Sequence, residues 1–585
     1  MRQSISRPAT ALCTAILMFL APAWSPVEAR VANPDLIPTN CVYVLSVPDT
    51  ASCWTAIKGN AGYESLWKLL QQPQFAAQVD EVQRQLKDVE SGLGFGLDPD
   101  SLSKVVSALD VFIEPGKTPG EVNGALVLKV ADRGRLDKLV MLIEKAAERA
   151  LTPDDKASTG SKESVPTTTS VVTRRDRNGL IVTEFNLGGA QPVFSASQDD
   201  LFIVANSEAV VLGALQRVKT PGKGFGARSD YEAVSAKIGA EGHIYVYADQ
   251  QAAFSAAGPV PEPMERAQAM MRQMFPLGLS GTAVTFSPAA VSYRSCTRLT
   301  GEGSAGWVSL GSKFPANKPM GIVAYAPADT CLVAAASLLD ARGILSGVRT
   351  LAENFGVVDL DAQLAAAEKT LGFSITKDLV PALGNEVALI VNSIRMSGGI
   401  PQVDAALAVS VADDQRMKTV LLALEKALEA QLASSPFVKA ANPDGRKSMS
   451  LKTMTDGPLT IRYAELPFGP GFTPCYAFDE NYLLLATSTD SLKRLISVKS
   501  SGSGIPASDA VRALAPRIST SAHMFQYMNL GQVVDAALGL AETSGANLGE
   551  AKALVSGLKV LDTAVSSGSV GEDGIVSEGI ITLKR

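Results

Sequence analysis

Apolar residues along this chain recur in two spacings, alternating in short runs and three or four apart in longer ones, and the same succession of runs is met twice. Val122-Asn-Gly-Ala-Leu-Val-Leu-Lys-Val-Ala-Asp132 alternates as a half-buried strand should, and it returns as Val403-Asp-Ala-Ala-Leu-Ala-Val-Ser-Val-Ala-Asp413. A helix is expected after each copy. Leu136, Leu139, Val140, Ile143 and Ala147 fall on one face of the first, and Met417, Val420, Leu421, Leu424 and Leu428 on one face of the second, the spacing of an amphipathic helix with one buried stripe. Both helices carry Glu-Lys-Ala, at Glu144 and at Glu425.

Matches in the same order run along both halves, offset by about 280 residues. The strand expected over Cys41–Val47, followed by Asp49-Thr50, corresponds to Gly321–Tyr325, followed by Asp329-Thr330. Gly94-Phe95 corresponds to Gly372-Phe373, the hairpin corner Asn178-Gly179 to Asp456-Gly457, Asp200–Ala205 to Tyr482–Thr487, and His243–Tyr247 to His523–Tyr527. On this alignment Cys41 faces Gly321 and Cys53 faces Val333. Asn-Gly and Asp-Gly suit two-residue turns, whose positive φ angles match the twist of a hairpin. Many strands joined by tight turns argue for antiparallel pairing, with helices on one face.

The expected fold class is therefore α+β, in two tandem homologous halves, each a largely antiparallel sheet with helices packed on one face. The expected domains are a signal peptide over 1–29, a first repeat over 30–303, a linker rich in Gly, Ser and Pro over 304–318, and a second repeat over 319–585. Phe75–Val89 and Leu360–Leu371 read as further helices, and Thr152–Thr168 and Ser434–Lys447 as polar loops. Each half, at about 270 residues, is long enough to bury most of its chain surface.

The N-terminus changes where the chain is expected to act. Arg2 and Arg7 precede an apolar run from Ala9 to Leu20, and Val27-Glu28-Ala29 reads as a small-x-small cleavage site. The run is shorter than the ~20 residues that a membrane span needs, so removal of the segment and export to the periplasm or beyond are expected. Five cysteines remain after that cut, an odd number: Cys41, Cys53, Cys296, Cys331 and Cys475. Cys41 and Cys53 are the one short-range pair that export would permit to join, but buried free thiols are the simpler reading. With 46% hydrophobic and 19% charged residues the chain is globular, and a net charge of -6 without a basic block excludes nucleic acid as a partner.

Candidate chemistry is sparse. The chain has two histidines, His243 and His523, at corresponding places, and one per half cannot build a multi-histidine metal site. Each is read as a strand-start ring bonded locally. Asp49 and Asp329 are read as helix caps rather than paired acid–base carboxylates. Asp249 faces Asn529, so no charge is kept there. Gly222-Lys-Gly224-Phe-Gly226 lacks the Gly-Lys-Ser/Thr ending of a phosphate loop, and Asp98-Pro-Asp100 is too short for a calcium loop. Arg174, Arg175 and Arg177 keep a turn solvated, with Lys452 alone near the matching place. No catalytic, cofactor-binding or metal-binding residue is nominated, and no cofactor.

Ile37-Pro-Thr-Asn-Cys-Val-Tyr-Val-Leu-Ser-Val-Pro-Asp49, with Trp54 and the helix leading to Leu69-Leu-Gln-Gln-Pro73, resembles an uncharacterised family of exported bacterial proteins, a domain of unknown function. The resemblance lies mainly in this first strand and helix and implies no activity. The expected function is an exported, non-enzymatic protein that binds a protein, a polymer or an apolar ligand at a surface or groove formed by two duplicated domains. The alternatives are a hydrolase using carboxylates in one half, and a structural component of the cell envelope.

Overall fold

The computed structural model describes residues 31–72, 93–141, 172–186, 191–256, 276–301, 319–343, 360–434, 451–464, 473–508, 521–543 and 557–584, less a few single positions, together with scattered residues between them. The segment 1–29 read as a signal peptide, most of the linker 304–318, most of the expected helix Phe75–Val89, the polar loop Thr152–Thr168 and the second polar loop beyond Ser434 lie outside these residues. The fold is mixed α+β, and every strand pair within each unit is antiparallel. It divides into two compact units, Met1–Glu265 with Pro276–Thr300, and Arg266–Phe275 with Gly301–Arg585.

The first unit begins with β1 (Tyr43–Val47), α1 (Thr50–Lys58) and α2 (Ala61–Leu70). Then come β2 (Val106–Pro115), β3 (Val122–Val130) and a helix, α3, described over 133–141. Strands β4 (Val172–Arg177), β5 (Leu180–Phe185), β6 (Val193–Gln198) and β7 (Leu201–Ala205) form a meander. Helices α4 (Glu208–Val218) and α5 (Ser229–Ile238), β8 (Ile244–Asp249), α6 (Gln250–Ala256), β9 (Leu277–Ser287) and β10 (Ala290–Leu299) complete it. The strand order is β10-β9-β8-β1-β2-β3-β7-β6-β5-β4.

The second unit holds β11 (Leu332–Ala336), α7 (Leu360–Leu371), β12 (Leu383–Ser397), β13 (Ile400–Val411) and α8 (Asp414–Ser434). It continues with β14 (Leu451–Asp456), β15 (Leu459–Ala464), β16 (Cys475–Asp479), β17 (Tyr482–Ala486) and α9 (Thr489–Ser501). Strand β18 (Met524–Asn529), α10 (Leu530–Thr543), β19 (Leu561–Gly571) and β20 (Gly574–Leu583) close it. Its strand order is β20-β19-β18-β11-β12-β13-β17-β16-β15-β14.

Three expectations need correction. Gly321–Tyr325 is a 3-10 helix, not a strand, and the first strand of the second unit is Leu332–Ala336. Ile322, Val323 and Tyr325 are buried, and a short buried apolar run has no periodicity by which to tell helix from strand. Asp329 does not cap a helix. It precedes β11 and pairs with Arg494, and the cap after that strand is Asp340, which accepts the Gly343 N–H at 3.2 Å. Asp49 is a cap, accepting the Ser52 N–H at 2.9 Å. Nor do the sheets have one covered face. In β7, Phe202 packs with Leu136 of α3, while its neighbour Ile203 points to the opposite face and is fully buried. Leu201-Phe-Ile-Val-Ala and Tyr482-Leu-Leu-Leu-Ala are continuous apolar runs, the signature of a strand covered on both sides.

The hairpin corners are also shifted by one residue. Arg177 pairs with Leu180 across Asn178-Gly179, both at positive φ, whereas Asp456 pairs with Leu459 across Gly457-Pro458. Pro458 cannot take positive φ, so only Gly457 does, and the second corner is a different turn.

Candidate functional site

The start of each unit is held by a carboxylate, buried in the first and half-buried in the second. Asp110, on β2, is fully buried and accepts the Ala32 and Asn33 N–H groups at 3.3 and 3.0 Å and the Asn33 Nδ2 at 2.9 Å. Burial pushes its carboxyl above the usual range, against the pull of these donors. In the second unit Glu386, on β12, accepts the Ile322 N–H at 3.0 Å and the Tyr482 hydroxyl at 2.9 Å. These carboxylates satisfy backbone donors that burial would otherwise leave unpaired, and that explains them without chemistry.

The sequence candidates are likewise structural. The His243 Nδ1 accepts the Phe286 N–H at 3.1 Å and the His523 Nδ1 accepts the Val570 N–H at 2.9 Å. Burial holds His243 below the ordinary histidine range. Asp249 and Asn529 both cap helices, accepting the Ala252 and Gln532 N–H groups at 2.9 and 3.1 Å. Phe225, inside Gly222–Gly226, is buried against Tyr231 and Tyr247, and its N–H bonds the Ile37 carbonyl at 2.7 Å. Asp98 caps a short helix and Asp100 pairs with Lys58. Cys41, Cys53, Cys296, Cys331 and Cys475 are free and buried. Burial pushes the Cys53 and Cys475 thiols up to about 12, which leaves them unreactive. Among the described residues no cluster of ligand types suits a metal ion, and no helix is long and apolar enough to cross a membrane.

What the sequence did not point to is a groove of about 1090 Å³ in the first unit. Helix α3 borders it on the Phe202 face of the sheet with Arg133, Asp137, Val140 and Met141, and α4 borders it on the opposite face, beside the segment held by Asp110, with Leu212, Leu215, Gln216 and Lys219. Between them lies the sheet, where Ile181 and Thr183 of β5, Ser195 and Ser197 of β6 and Phe202 of β7 face α3, and Ala196 and Gln198 face the other way. The β5–β6 ladder stops at Val182 and Ala196, so the hairpin corner at Asn178 stands away from the end of β6. Two apolar side chains of the lining are about half exposed, Met141 at 48% and Ile181 at 53%. The Gln198 Oε1 is buried in the lining and accepts no hydrogen bond, a state that costs ~1–3 kcal/mol when no water or ligand donor fills it.

Arg174, Arg175 and Arg177 do more than solvate a turn. Arg177 pairs with Glu208 at 2.7 Å and Arg175 with Glu184 at 2.5 Å, while Arg174 and Arg177 line the groove.

In the second unit the space between α8 and the sheet is occupied. The Arg462 Nε and Nη2 bond the two oxygens of Glu425 at 2.8 and 2.6 Å, and the Tyr476 hydroxyl adds a bond at 2.6 Å. Burial raises the Glu425 carboxyl, but Arg462 and Tyr476 outweigh it and hold the group below the usual carboxylate range. Tyr476 and Phe478 pack against Met417, Leu421 and Leu483. A smaller hollow of about 410 Å³ lies elsewhere in this unit, lined by Asp329, Asp404, Asp535, Arg494 and Asn392 among others.

No family model and no curated protein sequence matches the chain. Crystal forms I and III of TP0453 are similar in structure to about half of it, at 10% and 9% identity, over 47% and 46% of this chain and 82% and 80% of theirs, with TM-scores of 0.21 and 0.22. A likeness at that TM-score carries no argument about fold or function.

Proposed function

We propose that the protein is an exported, non-enzymatic binding protein built from two tandem homologous halves, and that its ligand site is the groove of the first unit. The observation that carries this reading is the groove itself: a large concavity in which apolar side chains such as Met141, Ile181 and Phe202 stand among charged and polar ones, and ligand sites are commonly concave. Export rests on the N-terminal charge and apolar pattern. Duplication is supported by a strand order that repeats position for position. It is supported too by paired caps at Asp132 and Asp413, left-handed Gly94 and Gly372 at helix ends, and two histidine rings that each accept an N–H from the neighbouring strand.

The test is to incubate the purified chain with a cell-envelope extract, denature it and analyse the small molecules released. The reading expects more from the wild type than from Thr183→Arg/Ser195→Tyr, which fills the groove. Equal release from both would contradict it.

A second reading, a hydrolase using carboxylates of one half, draws on the hollow of the second unit, which Asp329, Asp404 and Asp535 line and where the Asp404 Oδ1 is buried without a hydrogen bond. Activity on a panel of esters, glycosides and peptides that disappears in Asp404→Asn would favour it. Activity indifferent to Asp404→Asn, or none at all, would remove it.

A further inference from the structure

From its lining, we propose that the groove takes a single-chain amphiphile with one anionic end, one molecule per protein chain. This rests on the reading of the groove as the ligand site and adds the chemistry of what enters it.

Two observations point there. The first is charge. The chain is acidic overall, at -6, yet the groove gathers Arg133, Arg174, Arg177 and Lys219 against a single carboxylate, Asp137. Asp137 is already engaged by Arg133 at 3.0 Å, so it adds no unopposed negative charge. Arg177 is held by Glu208 outside the lining. Lys219, at the end of α4, has no ion-pair partner among the described residues and is exposed. A cation on an apolar rim attracts an anion and repels a second cation. The second observation is the apolar part of a mixed lining, in which Met141 and Ile181 remain about half exposed. Apolar surface left open inside a concavity is stabilised by covering it with an apolar body, by about 25 cal/mol per Å². An anion without a chain would leave this surface wet, and an uncharged chain would leave Lys219 unmatched.

One molecule per chain follows from the second unit, where Arg462, Tyr476 and Phe478 stand at the strand positions held here by Thr183, Ser195 and Ser197. Their side chains occupy the volume that the groove leaves open.

The experiment is a titration of the intact chain, followed by calorimetry, with dodecanoate, methyl dodecanoate, acetate and an acidic decapeptide, alongside a neutral solvatochromic dye. Dodecanoate should bind once per chain. Methyl dodecanoate should bind about tenfold more weakly, as expected when a charge-assisted contact is removed, and acetate and the peptide should not bind measurably. Ser195→Tyr should abolish dodecanoate binding. Lys219→Ala should weaken dodecanoate severalfold and leave the methyl ester unchanged. Equal affinity for the ester, binding of the peptide or of acetate in its place, or two equivalents of dodecanoate would overturn the proposal. Dye binding separates the two levels of the argument. Dye lost in Ser195→Tyr with no dodecanoate bound overturns the ligand class alone, and dye and dodecanoate both indifferent to Ser195→Tyr overturn the groove as the site.

Discussion

The first unit leaves open what the second unit fills. Between α3 and its sheet stand a threonine and two serines, Thr183, Ser195 and Ser197. Between α8 and its sheet stand Arg462, Tyr476 and Phe478, with Glu425 reaching down from the helix to the first two. The strand pairing is the same in both places, Thr183 opposite Ser195 and Arg462 opposite Tyr476. A helix on a sheet is a two-layer arrangement that tolerates either choice. Large side chains make it core, and small ones make it a groove. Two units with the same strand order thus differ in this gap through three side chains that face it.

The largest effect should come from unpairing the buried charge that closes the second unit. Arg462→Thr strips Glu425 of its bidentate partner, and removing one partner of a buried pair costs about 3 kcal/mol or more. Thr183→Ala, at the matching place in the first unit, should cost about 1 kcal/mol, since it removes a buried but neutral hydroxyl and leaves no charge unpaired. Urea unfolding of both variants checks this, and equal losses would break the comparison.

What the units share should respond alike. Asp110→Ala and Glu386→Ala each leave buried N–H donors of the incoming chain unsatisfied, at about 1–3 kcal/mol per variant. Hydrogen exchange at Ala32, Asn33 and Ile322 should quicken in the corresponding variant and not in the other.

Acid should act through Glu425. Its folded carboxyl titrates below the ordinary range, so it contributes stability that is present above the unfolded value of about 4.3 and is lost as pH falls through the lower folded value. Unfolding midpoints recorded from about pH 6 down to about pH 3 should fall, and the fall should be shallower in Glu425→Gln. An identical pH profile in the variant would mean that the carboxylate does not hold the second unit closed.

The smallest effect is the most specific. Ser195→Tyr should leave stability within about 1 kcal/mol of wild type, because Ser195, though itself buried, borders the groove into which the ring can extend. A loss several times larger would mean that the groove is not free to receive it.

The sequence announced the order of elements well, because repeated apolar runs, caps and turn glycines are local signals. It mistook Gly321–Tyr325 for a strand, since five buried apolar residues have no period to read. The one-residue slip at Asp456 came from matching Asp-Gly to Asn-Gly, when Pro458 moves the corner onward. Two-sided burial could have been read from the unbroken run Leu201–Ala205. The groove was not legible in that way. Thr183, Ser195 and Ser197 are unremarkable strand residues, and only the pairing that sets them side by side beneath α3 turns them into a floor. Glu425 was visible as half of a repeated Glu-Lys-Ala, but its partners lie 37 and 51 residues away and are joined to it by the fold.

The central claim is that the open gap of the first unit is where the protein binds. It is tested most directly by exchanging the gap side chains and counting bound dodecanoate by calorimetry. Thr183→Arg/Ser195→Tyr/Ser197→Phe should take the count from one per chain to none, while Arg462→Thr/Tyr476→Ser/Phe478→Ser, in the second unit, should leave the first site's affinity unchanged. Binding that survives filling the first unit's gap would contradict the account.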